Sequence, residues 1–371
     1  MSVNRRATKR GTRWDVRLRR PDGSSYKRTF RTRREADAFE ARELADRSRG
    51  TWHDPTRAMV PFKDWAEQWL ANSAGKRPRT LVWYRDVINL HLVPALGDRP
   101  LGSITPLDVQ QLMNDLGARV APTTTRGYYA TLRAILNGAL NADLIGRSPC
   151  RGIKLPKGTA KIRRIAEPTD VQRLADAIGD DYRAMALLAA ELGLRWGECA
   201  GLQVADVEML SRTVTIRRNL GEVKGVVIIG EPKTAAGCRT IAASKPLIAE
   251  LAEHMSRRGL TAEQADAWLF AAPQGGPLRY SLFRSRVWTP AVTKADLGGL
   301  TFHCLRHSAA TAWVAAGVDV RTAQHRLGHS TGRLVLDLYA HVATDADRAA
   351  ADLMAERLFA RPDDAEARSA P

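Results

Sequence analysis

The sequence is poor in cysteine, in long apolar runs and in acidic charge. Its four cysteines among 371 residues, at positions 150, 199, 238 and 304, are too widely spaced for a CxxC-type zinc site and read as four reduced thiols. Met1 to Arg20 holds no apolar core of the kind a signal peptide needs. The longest apolar run, Met185 to Leu194, is interrupted by Glu191 and is too short to span a bilayer. A soluble, cytoplasmic protein is expected. Neither an internal repeat nor a GxxxxGK[ST] phosphate loop is present.

Acidic residues number 40 against 57 basic, for a net charge of +17, while 44% of residues are hydrophobic. That apolar share excludes a disordered basic tail, and at roughly 100–200 residues per domain the length suggests two or three domains. The excess charge is unevenly spread. Residues 1–57 carry 17 basic and 8 acidic side chains and residues 147–167 carry 7 and 1, so two short pieces hold fifteen of the seventeen net charges. The long pieces 58–146 and 168–341 stand near neutrality at +2 and +3, and residues 342–371 at −3. Charge concentrated in this way is expected of an electrostatic grip on nucleic acid.

Local pattern divides the chain at the same places. Arg13 to Arg19 alternates strictly, with Trp14, Val16 and Leu18 on one face and Arg13, Asp15, Arg17 and Arg19 on the other, which predicts a half-buried strand. Pro21-Asp22-Gly23-Ser24 supplies a turn, and in the second strand Phe30 points inward while Lys27 and Arg31 point outward. A helix from about Arg33 to Arg47, with Ala36, Phe39, Glu40 and Leu44 at helical spacing, is expected to cover the apolar side. A basic ribbon of two or three strands is narrow enough to enter a major groove.

From Phe62 the pattern is helical: Phe62, Trp65, Ala66 and Trp69 form one stripe, Leu81 to Leu92 a second, Thr105-Pro106 opens a capped third helix and Pro122 to Leu144 reads as a fourth. Arg147 to Glu167, with its prolines, glycines and basic residues, predicts a linker. Residues 168–341 open with helices over Asp170–Ile178 and Asp181–Leu192. The β-branched runs Thr213–Ile216, Val226–Ile229 and Arg239–Ile241 then predict a three-stranded meander whose last turn is Glu231–Gly237. An amphipathic helix is expected over Thr344–Phe359. The fold class is mainly α with small β elements (α+β).

Three clusters in the last large region carry chemistry: Leu192-Gly193-Leu194-Arg195-Trp196-Gly197-Glu198, His303-Cys304-Leu305-Arg306-His307, and Leu327-Gly328-His329-Ser330 followed by Tyr339. Glu198, three positions after Arg195, can orient its fork. His303 and His307 have the spacing of helical zinc ligands, but zinc proteases of that pattern need a glutamate where this chain has Cys304. Two arginines, histidines, a lysine in a turn and a tyrosine suit phosphodiester transesterification. Paired arginine forks stabilise both nonbridging oxygens of a pentavalent transition state without a divalent ion. Tyrosine, with a pKa of ~10, becomes a nucleophile when a base and cationic surroundings favour the phenolate.

The order Arg195, Lys233, His303-Cys304-Leu305-Arg306-His307, Leu327-Gly328-His329-Ser330 and Tyr339 resembles the tyrosine recombinase (phage integrase) family. The resemblance implies that Tyr339 attacks the scissile phosphate, giving a 3′-phosphotyrosyl link and a free 5′-hydroxyl, while Arg195 and Arg306 hold the phosphate oxygens. His303 and His329 would assist proton transfer and phosphate contact, and Lys233 would be the general acid for the leaving 5′-oxygen, with Lys224 on the same hairpin as its competitor. No metal, ATP or other cofactor is implied. Cys304 departs from the family, where many relatives carry an acidic residue.

The same resemblance implies an arm-type DNA-binding domain at 1–57, a helical core-binding domain at 58–146, a basic linker at 147–167, a catalytic domain at 168–341, and a C-terminal helix and tail at 342–371. Such a chain would work as a homotetramer on double-stranded DNA with core and arm-type sites, aided by a host DNA-bending protein and an excision factor. Arg13, Arg17, Arg19, Lys27 and Arg31 in the hairpin, and Lys154, Lys157, Lys161, Arg163 and Arg164 in the linker, are the expected phosphate contacts. Two other readings stand beside a recombinase: a type IB topoisomerase-like enzyme and a catalytically idle DNA-binding regulator of the same fold. The first needs no basic N-terminal hairpin, and the second no intact catalytic set.

Overall fold

The computed structural model describes residues 2–358 except 9–10, 20–22, 50–53, 55, 159–163, 233, 329–350, 353 and 356–357. It comprises two compact units, Met1–Ala160 and Lys161–Pro371. Among the described residues no helix is long and apolar enough to cross a membrane.

The first unit opens with three antiparallel strands, β1 (Ser2–Thr8), β2 (Gly11–Arg19) and β3 (Ser25–Phe30), in that spatial order, followed by α1 (Arg33–Ser48). The expected hairpin is β2–β3. Strand β1 adds an edge whose sequence holds few apolar residues, because an edge strand shares little of the core. Register places Arg17 opposite Lys27, Asp15 opposite Thr29 and Leu18 opposite Tyr26. Val16, Leu18 and Ala36 are fully buried. Helix α1 starts at a capping box in which Thr32 and Glu35 satisfy each other's backbone N–H groups. Leu44, expected to dock, is instead exposed; Glu43 is buried in the same turn and accepts a hydrogen bond from the Tyr26 hydroxyl at 2.9 Å.

A second core follows, built from α2 (Phe62–Ala71), α3 (Pro78–Val87), α4 (Val93–Leu96), α5 (Pro106–Gly117) and α6 (Pro122–Asn141). Thr105 caps α5, as its sequence predicts, and does so in a box with Asp108. Helices α3 and α4 are joined by one wide π turn, Ile88–Leu92, just before Pro94. Proline lacks an N–H and its ring crowds the carbonyl four residues back, and a widened turn relieves both. The expected linker begins as part of this core. Tyr129 donates its hydroxyl to the Cys150 carbonyl at 3.1 Å, the Gln110 side chain pairs with both backbone groups of Lys154, and Arg126 donates to the Pro156 carbonyl at 3.0 Å.

The second unit centres on α8 (Asp180–Leu192), whose Ala184, Met185, Ala186, Leu188, Ala189 and Leu192 are buried against α7 (Pro168–Ile178), α10 (Lys245–Arg257) and α13 (Phe302–Ala315). Between α8 and α10 come α9 (Trp196–Ala200) and five strands: β4 (Val207–Glu208), β5 (Thr213–Ile216), β6 (Asn219–Val223), β7 (Val226–Gly230) and β8 (Arg239–Ala242). The expected meander does not form. Strand β5 pairs with β4 and β8, whereas β7 pairs with β6 in a separate hairpin. The hairpin closes on Lys224 and Gly225, both with positive φ (48° and 82°), as a two-residue turn of the kind that matches strand twist. Short helices α11 (Tyr280–Phe283) and α12 (Thr289–Lys294) precede α13, and α14 (Val320–Leu327) follows it.

Candidate active site

Helix α8 ends at Gly193 in the left-handed region, φ 63°, where a Cβ would stand 3.0 Å from Trp313 and 3.2 Å from Leu327. Glycine alone fits this turn, which delivers Arg195 to the N-cap of α9. Glu198, in the first turn of α9, accepts the Arg195 backbone N–H at 3.0 Å and its Nη1 at 2.6 Å. The same carboxylate is shared. Arg239, from β8, donates Nη2 to Glu198 Oε2 at 3.0 Å, and Arg306, from the first turns of α13, brings Nη1 to 3.9 Å of that oxygen. Arg306 also donates Nη1 to the Gly193 carbonyl at 2.7 Å and Nη2 to the Leu327 carbonyl.

Exposure separates the roles. The side chains of Glu198, Arg239 and Arg306 are 2%, 1% and 4% exposed, while that of Arg195 is 40% exposed. One carboxylate thus orders three guanidinium groups, and the cluster, the open Arg195 included, keeps a surplus of two positive charges. Desolvation pushes the Glu198 carboxyl up, but the charge and hydrogen bond of Arg239, then the charges of Arg195 and Arg306, outweigh it and hold the group below its usual value. Desolvation, then the like charge of Arg195, brings the Arg306 guanidinium down to about 9, still cationic at neutral pH.

Helix α14 ends at Gly328, also left-handed at φ 60°, where a Cβ would lie 2.8 Å from Arg239 Nη1 and 2.9 Å from the Ala236 carbonyl. His329 is the next residue in the chain. His329, Lys233 and Tyr339 lie outside the described residues, as do Lys161 and Arg163 and most of 344–359. His303 is exposed on the first turn of α13, its ring 4.7 Å from and perpendicular to that of His307. Lys224 occupies the tip of the β6–β7 hairpin. The connection from β7 to β8, in which Lys233 falls, returns through Ala235–Gly237 to the arginine cluster.

The structure therefore brings Arg195 and Arg306 together, and it adds two residues to the expected set. Glu198 was legible only as a local partner of Arg195. Arg239 had a signal that went unread: in Arg239-Thr240-Ile241-Ala242 it alternates in phase with buried Ile241, so it shares the inward face. Of the expected DNA contacts, Arg17 and Arg31 are exposed on or beside the N-terminal sheet, Arg13 is half-buried and bonded to the Thr12 carbonyl, Arg19 bonds the Gly23 carbonyl, and Lys27 lies 3.6 Å from Asp15. Lys154 and Lys157 are exposed. Arg164 is held within the second unit by the Gly298 carbonyl at 3.0 Å and by Asp170 at 3.4 Å.

Residues 164–345 match the phage integrase family, and residues 61–117 match the N-terminal SAM-like domain of phage integrases. A Mycobacterium tuberculosis protein named as the prophage phiRv2 integrase is 30% identical over 356 residues, covering 93% of this chain and 92% of the relative. The chain belongs to the phage integrase family. As a phage-type integrase it is a site-specific tyrosine recombinase, an enzyme of DNA strand breakage and rejoining. Solved structures share its α+β fold. The Tn1549 transposon integrase in complex with circular intermediate DNA is 18% identical, with a TM-score of 0.69 over 80% of this chain and 100% of that one. A lambda integrase tetramer bound to a Holliday junction is 20% identical, with a TM-score of 0.56 over 90% and 97%.

Proposed function

We propose that this integrase cuts and rejoins DNA through a 3′-phosphotyrosyl intermediate, with Tyr339 as nucleophile and Arg195 and Arg306 as the clamp on the scissile phosphate. The phenolic oxygen bonds to phosphorus as the bond to the 5′-oxygen breaks. His303 and His329 assist transfer of the phenolic proton, and Lys233 gives a proton to the departing 5′-oxygen. Because the phosphoryl link is conserved in the protein–DNA bond, the reverse attack by a 5′-hydroxyl reseals the strand. The observation that carries this reading is the Glu198 cluster: Arg195 and Arg306 come from helices more than a hundred residues apart and are fixed on one buried carboxylate before any substrate arrives.

The wider reading follows the same lines. The basic outer face of the β1–β2–β3 sheet takes an arm-type DNA site, and core-site DNA is held by Lys154, Lys157, Lys161 and Arg163, and less by Arg164, whose fork is bonded within its own unit. The enzyme works as a homotetramer on paired sites in the bacterial cytoplasm, a reading supported by the lambda integrase tetramer of like fold. A host DNA-bending protein and an excision factor complete the assembly.

The decisive experiment incubates the full chain with a randomised pool of nicked duplexes and sequences whatever becomes covalently attached. Wild type should form an adduct resistant to denaturant, and Tyr339→Phe should form none while still binding DNA. An adduct from Tyr339→Phe would remove Tyr339 as nucleophile.

A further inference from the structure

Arg239 is the most deeply buried of the three arginines, and each face of its guanidinium is used differently. Its Nη2 meets Glu198 Oε2 at 3.0 Å, its Nη1 donates to the Gly237 carbonyl at 2.9 Å, and its Nε donates to the Arg326 carbonyl at 2.8 Å. With 1% of the side chain exposed and all three nitrogens engaged, its bonds are spent on the protein itself. Its three acceptors belong to three different segments, and each segment runs into a residue of the cleavage machinery: Glu198 orders Arg195, Gly237 closes the connection that contains Lys233, and Arg326 lies three positions before His329. The last carbonyls of a helix have no intrahelical partner and carry the negative end of its dipole. At the end of α14 two consecutive carbonyls are taken by buried arginines, that of residue 326 by Arg239 and that of residue 327 by Arg306.

We propose that Arg239 is a positioning residue of strand cleavage, locking the Glu198 carboxylate, the start of β8 and the exit of α14 into one arrangement so that Arg195 and Arg306 act on the phosphate together. The proposal rests on the recombinase reading above. A planar fork with donors in three directions is required for this task. Lysine at the same place supplies the charge but cannot span three fixed acceptors with the same geometry.

The test compares full-length wild type, R239K, R239Q, E198Q and E198Q/R239Q on nicked duplexes that wild type has captured from a randomised pool, with Y339F as the background. Dissociation constants, thermal unfolding and the single-turnover rate of covalent attachment at saturating protein are measured. R239K should unfold within a few degrees of wild type and bind within about 2-fold, while its attachment rate falls on the order of 100-fold, the loss expected when reacting groups are misplaced by about 1 Å. The double variant should be no slower than the slower single variant, because both substitutions disrupt one unit. R239K carries the test even where R239Q is too unstable to assay. An unchanged rate in R239K, a loss of binding that accounts for the loss of rate, or multiplicative losses in the double variant would each overturn the positioning role. Failure of wild type itself to form an adduct would overturn the recombinase reading instead.

Discussion

Asp15 in the N-terminal sheet and Glu198 in the second unit are both carboxylates set among cations, and the cations differ in what else they touch. Arg6 and Lys27 reach Asp15 at 3.0 and 3.6 Å with side chains 52% and 44% exposed. Arg239 and Arg306 reach Glu198 almost wholly buried, with their remaining donors tied to backbone carbonyls. Around Asp15 the cations keep their hydration and freedom, so their contribution to a polyanion is a matter of number and is screened beyond roughly 8 Å at physiological salt. Around Glu198 the side-chain entropy is lost on folding, and what remains is direction. The net charge of +17 therefore sums two kinds of basic side chain that do unlike work.

The comparison breaks most sharply at Arg306. On the proposed phosphate clamp, Arg306→Ala should lower single-turnover cleavage by about 10³-fold, the loss expected when a preorganised donor to the developing charge is removed. A loss under tenfold would place Arg306 with the surface arginines. Next, Glu198→Gln leaves Arg239 and Arg306 without their counter-charge and should cost about 3–5 kcal/mol of stability, read from denaturant midpoints. Its pH dependence has a definite sign. The Glu198 carboxyl is lowered in the folded state from about 4.5, so the stability it contributes is present above that value and is lost as pH falls through the folded pKa. The Gln variant should lose part of the acid limb of the wild-type stability profile.

Smaller effects sharpen the same contrast. Gly328→Ala forces a left-handed alanine and a Cβ against Arg239, and should destabilise the fold by about 1–2 kcal/mol while slowing cleavage. Arg17→Ala on the exposed sheet should leave thermal stability unchanged and flatten the slope of log K against log salt by about 0.9, the loss of one phosphate contact. An unchanged slope would remove Arg17 from the DNA-facing set.

What could be read in advance was whatever a short window encodes. Strand β2 announced itself by alternation and α5 by Thr105-Pro106, because burial on one face and capping are local. Strand β1 did not, since an edge strand needs few apolar residues. Nor did the choice of Glu43 over Leu44, which depends on a hydroxyl seventeen residues away on β3. The β-branched runs were legible as strands, but their pairing was not: Asn219-Leu220-Gly221-Glu222-Val223 has little strand preference of its own and forms β6 by pairing with β7. The candidate site divided the same way. Arg195 and Arg306 stood out within their clusters, whereas Arg239 acquires its meaning from Glu198, Gly237 and Arg326, which only the fold assembles.

The close approach of Arg239 to Gly328 makes two positions 89 residues apart a single unit of variation. The volume a side chain would fill at 328 is occupied by a guanidinium from 239. A methyl group at 328 meets that guanidinium and also the Ala236 carbonyl at 2.9 Å, so a shorter residue at 239 removes the first of these obstacles and leaves a gap beside 328. Change at either position is thus contingent on change at the other, and an intermediate sequence carrying only one of the two has an arginine in collision or an empty space beside the end of α14.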